Sequence, residues 1–77
     1  MRVNDFVKSA LSNELICIVK EPLMVHWEKE NIVEAPQAAF RMIDGKYAER
    51  EIDRFTTVPR SVCGERGTGS VIAVSLR

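Results

Sequence analysis

The chain has no uninterrupted apolar stretch longer than Leu15 to Val19. A membrane-spanning helix needs about 20 such residues, so no bilayer crossing is expected. The opening Met1-Arg2-Val3-Asn4-Asp5-Phe6 carries an acid and no apolar signal core, and a secretory leader is not expected either. With Gly at 4 and Pro at 3, the composition is not that of a collagen-like or low-complexity chain. Histidine occurs once, as His26, so any serine- or cysteine-type catalysis would have to use that one imidazole. The two cysteines lie in unlike contexts, Cys17 in an apolar run and Cys63 beside Gly64. Together with His26 they lack the paired ligand spacing of a structural zinc site. Without an export signal, both thiols are read as free in a reducing cytosol.

Excess charge is missing too: 11 Lys and Arg face 11 Asp and Glu, a net charge of zero. Nucleic-acid binders carry a basic excess, so direct nucleic-acid binding is not expected. The zero nevertheless divides along the chain. Residues 1–45 hold five basic and seven acidic side chains, and residues 46–77 hold six basic and four acidic. Opposed patches of that kind steer association with a complementary partner.

What is present is a foldable chain of 77 residues, 45% hydrophobic, that makes one domain spanning 1–77. A core of this size rarely leaves more than about 3–5 kcal/mol of net stability, which favours binding or self-association. Val3, Phe6, Val7, Ala10 and Leu11 recur at helical spacing, with Asn4 as a cap and Asn13 as a stop. Leu15 to Val19 is apolar on both alternating faces, the pattern of a strand covered on both sides. Lys20-Glu21-Pro22 reads as a turn, and Leu23 to Glu28 alternates as a second strand that completes a hairpin with the first. Ala35, Ala38, Ala39, Met42 and Ile43 return to helical spacing. With Pro36 in the first turn and Gly45 as the left-handed residue beyond, they predict a short helix over 36–44, against a competing strand at Ala38 to Ile43. Lys46 to Glu51 adds a helical turn carrying Tyr47. Ile52 to Val58 and Ser70 to Leu76 form a second hairpin across the polar loop Pro59 to Gly69. The expected fold is α+β: about four mainly antiparallel strands in two hairpins, with two short helices on one face.

The loop Cys63-Gly64-Glu65-Arg66-Gly67-Thr68-Gly69-Ser70 has glycines whose backbone N–H groups can form an anion nest, with Gly64, Arg66, Gly67 and Gly69 as candidate ligands. It lacks the Lys-Ser or Lys-Thr pair and the following helix of a phosphate loop, and its glycine spacing is not that of a dinucleotide fingerprint. A Cys63–His26 dyad has no third orienting group or oxyanion device, so no enzyme activity, cofactor or metal is expected. Glu21, Glu28, Glu30 and Glu34 read as solubilising charge. Trp27 is either the anchor of the core or an interface hot spot, because Trp, Tyr and Arg dominate interfaces. With its neighbour His26, and with Arg60 and Arg66 of the long loop, it makes up the candidate protein-binding set.

The order of amino-terminal helix, hairpin, short helix, Tyr47-Ala48-Glu49-Arg50-Glu51 and closing Val71-Ile72-Ala73-Val74 resembles small accessory proteins of phages and prophages. The likeness is one of layout across most of the chain, and the loop at 59–69 departs from it. What the resemblance implies is a protein that binds and disables or redirects a larger host protein, including components of anti-phage defence, in the cytoplasm of a bacterial cell. The expected function is therefore a non-catalytic protein-binding module, an inhibitor or adaptor acting by occlusion. The alternative is a small-anion or nucleotide binder, or sponge, built on the 63–70 loop.

Overall fold

The computed structural model describes residues 1–9, 14–23 and 27–77. Helix α1 (Val3–Lys8) precedes strands β1 (Leu15–Val19), β2 (Ile32–Ala38), β3 (Ile52–Pro59) and β4 (Ser70–Leu76). Short 3₁₀ turns lie at Lys29–Asn31, Ala39–Met42 and Arg60–Cys63. The sheet order is β2-β1-β4-β3. The outer pairs β1–β2 and β3–β4 are antiparallel, and the central pair β1–β4 is parallel. The α+β class, the number of strands and the closing hairpin agree with the sequence reading, but one of the four strands is a different segment. A second helix is not present among the described residues.

The strand β1 lies inside the sheet because its side chains are apolar in both directions. Ile16, Cys17, Ile18 and Val19 are each 2% exposed or less. Since alternate residues of a strand face opposite ways, β1 and β4 contribute to two separate clusters. On one face Ile16, Ile18, Val74 and the half-buried Ile72 and Leu76 meet Val3, Phe6 and Val7 of α1 and Ala39 and Met42 of the following turn. On the other, Cys17, Val19, Val71 and Ala73 are covered by Trp27, Ile32, Val58 and Cys63.

Helix α1 begins where the spacing predicts, and Val3, Phe6 and Val7 are its buried stripe. Its capping differs. Arg2, not Asn4, is the N-cap residue. The first helical N–H groups are satisfied by main-chain carbonyls of a distant segment, Val3 by Arg50 at 2.9 Å and Asn4 by Ala48 at 2.9 Å, so a side-chain cap is not required. The Asn4 side chain is free for another task. Its Oδ1 accepts from the Asp44 N–H at 3.1 Å, and its Nδ2 donates to Asp44 Oδ1 at 3.3 Å, tying the helix to the crossover turn. Asp44, with φ 57°, is the left-handed residue of that turn, in place of the expected Gly45. Ala10, Leu11 and the predicted stop at Asn13 lie outside the described residues.

Two expected elements are corrected. The hairpin partner of β1 is β2, not Leu23–Glu28: Pro22 and Leu23 are in a turn, Trp27 and Glu28 are outside any strand, and Met24 to His26 lie outside the described residues. The cause is Asn31. Its main-chain carbonyl accepts from the Lys20 N–H at 2.8 Å. Its side chain accepts from the Glu21 N–H at 2.9 Å and donates to the Glu21 carbonyl at 3.0 Å. These bonds bring Asn31 back to the end of β1 and deliver Ile32, not Leu23, to its edge.

The helix expected over 36–44 is a strand end followed by one 3₁₀ turn. Pairing passes from Ile16↔Gln37 to Ile18↔Glu34, so Ala35 and Pro36 bulge opposite Cys17. β2 is an edge strand, and a bulge on an edge is where a proline without an N–H is tolerated in a sheet. The helical spacing of Ala39, Met42 and Ile43 is real but lasts only that turn, which plants Ala39 and Met42 in the core. The segment after it does turn as expected, with Ala48 N–H on Gly45 O at 3.1 Å and Arg50 N–H on Tyr47 O at 3.0 Å.

Asn31 is buried and its amide is paired on both sides. Asn31→Ala leaves the Glu21 N–H and carbonyl without these partners and is expected to lower stability by about 1–3 kcal/mol. The reading is a lower urea midpoint at unchanged m-value. A wild-type midpoint would mean that the loop closes without this clamp.

Candidate functional site

The face of the sheet opposite α1 is covered by loops, and loops leave a gap. Between Trp27, Glu28, Lys29, Ile32 and Ala35 on one side and Ser61, Val62, Cys63 and Gly64 on the other lies a cleft of about 670 Å³. The first wall is the end of the β1–β2 connection with the start of β2. The second is the 3₁₀ turn that follows Pro59, where the chain leaves the sheet because proline cannot continue the ladder. Apolar groups of Trp27, Ile32, Ala35, Val62 and Cys63 make most of the lining, and Glu28 and Lys29 supply charge at one side.

Trp27 is half-buried and packs on the cluster formed by Cys17, Val19, Val71 and Ala73, so it serves as core anchor and cleft wall together. Its indole Nε1 is buried and has no acceptor among the described residues. An unpaired buried donor costs about 1–3 kcal/mol, and an incoming carbonyl would recover that cost.

Arg60 shares this feature in part, since its Nε is also buried without an acceptor among the described residues. Its side chain is about one-third exposed, and its Nη2 donates to Glu65 Oε2 at 2.9 Å. The glycine loop folds around it: the Arg60 N–H reaches Gly69 O at 3.3 Å, and the Glu65 N–H reaches Arg60 O at 3.4 Å. Gly67 and Gly69 have φ of 116° and 104°, a region that disfavours side chains, and a β-carbon at either would lie in van der Waals contact with the Arg60 side chain, at 3.7 and 3.8 Å. These glycines therefore shape the loop around an internal cation. Gly64 ends the 3₁₀ turn with its N–H on Ser61 O at 3.0 Å. Arg66 is exposed and is not among the residues lining the cleft. His26 lies outside the described residues. Of the candidates read from sequence, Trp27 and Gly64 thus line one cleft, while Arg60, Gly67 and Gly69 share the neighbouring loop.

The opposite wall, Ser61 to Cys63, lies in the long Arg60 to Ser70 loop that the sequence reading offers as a contact candidate, but its residues are not singled out there. Its only signal there is the apolar pair Val62-Cys63 inside an otherwise polar loop. The split of charge along the chain is also partly folded away, since Glu21 of the acidic portion pairs with Arg54 of the basic portion at 2.6 Å.

Beneath the cleft the two thiols are neighbours. Burial pushes the Cys17 thiol up from about 9 to about 12, with Cys63 beside it as the second cause. Burial also raises Cys63, against a lowering by the hydrogen bond it shares with Cys17. Both are therefore thiols, not thiolates, at neutral pH, which is not the state of an activated nucleophile. Both are free.

No known protein family, curated protein or solved structure matches this chain. Among the described residues, no helix is long and apolar enough to cross a membrane.

The raised Cys17 value has a consequence for stability. A group whose pKa is higher folded than unfolded contributes fully below its unfolded value and loses that contribution as pH rises towards the folded one. Under reducing conditions the protein is expected to lose about 1.4 kcal/mol per pH unit from this thiol above about pH 9. Urea titrations at increasing pH should show a steeper decline for wild type than for Cys17→Ala. Parallel declines would mean that the Cys17 thiol ionises as easily in the fold as in the unfolded chain.

Proposed function

We propose that this chain is a non-catalytic protein-binding module that receives an apolar segment of a larger protein in the cleft between Trp27 and Val62, and acts by covering that partner's surface. The observation that carries this reading is Trp27 itself. It presents an apolar wall to an open cleft while its indole donor lacks an acceptor among the described residues. An extended peptide supplies both complements, an apolar side chain for the wall and a main-chain carbonyl for the indole. Tryptophan in such a setting is the residue type that most often dominates binding energy. On this proposal the partner is a host protein of anti-phage defence, which rests on the sequence resemblance alone, since the first hairpin and the short helix of that layout are not reproduced in the fold.

The anion-binding reading of the 63–70 loop has less support. Its nearest cation, Arg60, is paired with Glu65, and the N–H groups of Gly64 and Glu65 are occupied by carbonyls of the same loop.

The test is capture from bacterial lysate with wild-type protein, Trp27→Ala and Arg66→Ala in parallel, followed by calorimetric titration of each with the retained protein in purified form. Trp27→Ala is expected to weaken the complex by on the order of 2–4 kcal/mol, which is 30-fold or more. Arg66→Ala should have a small effect, as a charge at the rim does. Wild-type affinity in a folded Trp27→Ala protein would remove the cleft from the proposal.

A further inference from the structure

Cys17 lies on the central strand β1 and has no exposure, while Cys63 ends the Arg60–Cys63 turn and is half-buried. Cys63 packs on the buried cluster to which Cys17 belongs. Cys63 also lines the open cleft, so a small reagent can reach its sulfur without unfolding the chain. We propose that Cys17 and Cys63 are a reversible disulfide site, oxidised by a low-molecular-weight disulfide of the glutathione type, and that the bond locks the Arg60–Cys63 turn onto the central strand.

The order of events follows from access. The Cys63 thiolate attacks one sulfur of glutathione disulfide, breaking its S–S bond, forming a mixed disulfide at Cys63 and releasing one glutathione thiolate. Cys17 cannot meet the reagent first, since it is fully covered, but it belongs to the cluster on which the adduct-bearing Cys63 packs. Its sulfur then attacks that of Cys63, forming the Cys17–Cys63 bond and expelling the second glutathione. The protein loses two electrons and two protons, and glutathione disulfide leaves as two glutathione thiols. The reaction is slow at neutral pH, because attack requires the thiolate, and it accelerates as pH rises.

The bond would tie together two elements far apart in sequence, and closing a long loop of the unfolded chain raises stability. It would also hold one wall of the cleft at a set distance from the sheet. Redox state would thereby set how freely that wall moves, whatever the cleft accommodates.

The experiment uses reduced full-length protein exposed to glutathione disulfide at about pH 8.5, where a thiolate fraction is present. Samples are quenched by alkylation and read by intact mass, peptide mapping and thermal melting. The expected product is a monomer lighter by two hydrogens, with a linked Cys17–Cys63 peptide. Its melting temperature should be several degrees higher and should return to the reduced value with dithiothreitol. Cys63→Ser should give no such product, and Cys17→Ala should stop at a stable glutathione adduct on Cys63. A persistent adduct on wild-type Cys63, a disulfide-linked dimer as the main product, or no reaction in native protein when the urea-unfolded chain reacts would each overturn the proposal.

Discussion

Leu15 to Val19 must be covered on both faces, and the course of the chain follows from that constraint. Four consecutive residues, Ile16 to Val19, are almost fully removed from water. Each large apolar side chain buried in this way is favourable by about 1.5–3 kcal/mol. A strand with no polar face is poorly placed at an edge, and only a neighbour on each side makes it internal. β2 supplies one neighbour from the next segment of the chain. The other is β4, from the far end, laid parallel to β1. To reach that position the chain crosses from the β2 edge to the β3 edge through the Ala39–Met42 turn and the segment beyond it. The crossing lies against α1, where Asn4 and Asp44 join the two by paired hydrogen bonds.

The two faces are then closed by unlike means. An amphipathic helix brings a continuous apolar stripe, so Val3, Phe6 and Val7 seal one side with the help of Ala39 and Met42. On the other side the described residues supply no helix, and beyond the side chains of Ile32 and Val58 the cover comes from Trp27 of one connection and the Arg60–Cys63 turn of another. Each of these pieces must satisfy its own main chain by local hydrogen bonds, and two such pieces do not interlock along their length. The cleft is the space between them. It contains the bulkiest apolar residue of the chain, a buried indole donor and the edge of a thiol pair, because it is where the sheet is covered by side chains one at a time.

Legibility in the sequence varied with the range of the deciding interaction. β1 and β4 are where their patterns predict, and β3 extends one residue further, because each carries an uninterrupted β signal that no local alternative matches. Leu23 to Glu28 alternates just as well, yet it is not the partner of β1. Asn31 decides that point by holding Glu21, and an asparagine ten residues away leaves no mark on local periodicity. At 35–43 both periods are present at once: Ala35, Ala38 and Ala39 are small enough to suit either, and the edge position of β2 makes Pro36 acceptable in a strand. The candidate site was half legible. Trp27 was singled out as the only tryptophan, but its facing wall at Ser61 to Cys63 sits in a polar loop and carries no periodic signal. The arginine counted there as a docking contact, Arg60, turned out to be held inside its own loop by Glu65.

What the sequence determined by itself is local: which residues make three of the strands and the helix stripe, and that one strand must be internal. Composition added only that the core is small. Tertiary structure decided the pairing order, the parallel contact of the first and last strands, the wrapping of glycines around Arg60, and the meeting of Cys17 with Cys63 beneath a cleft. These depend on which distant segments find one another. Hydrophobic burial is non-directional and so leaves that choice open; a few directional bonds, chiefly those of Asn31 and Asn4, settle it.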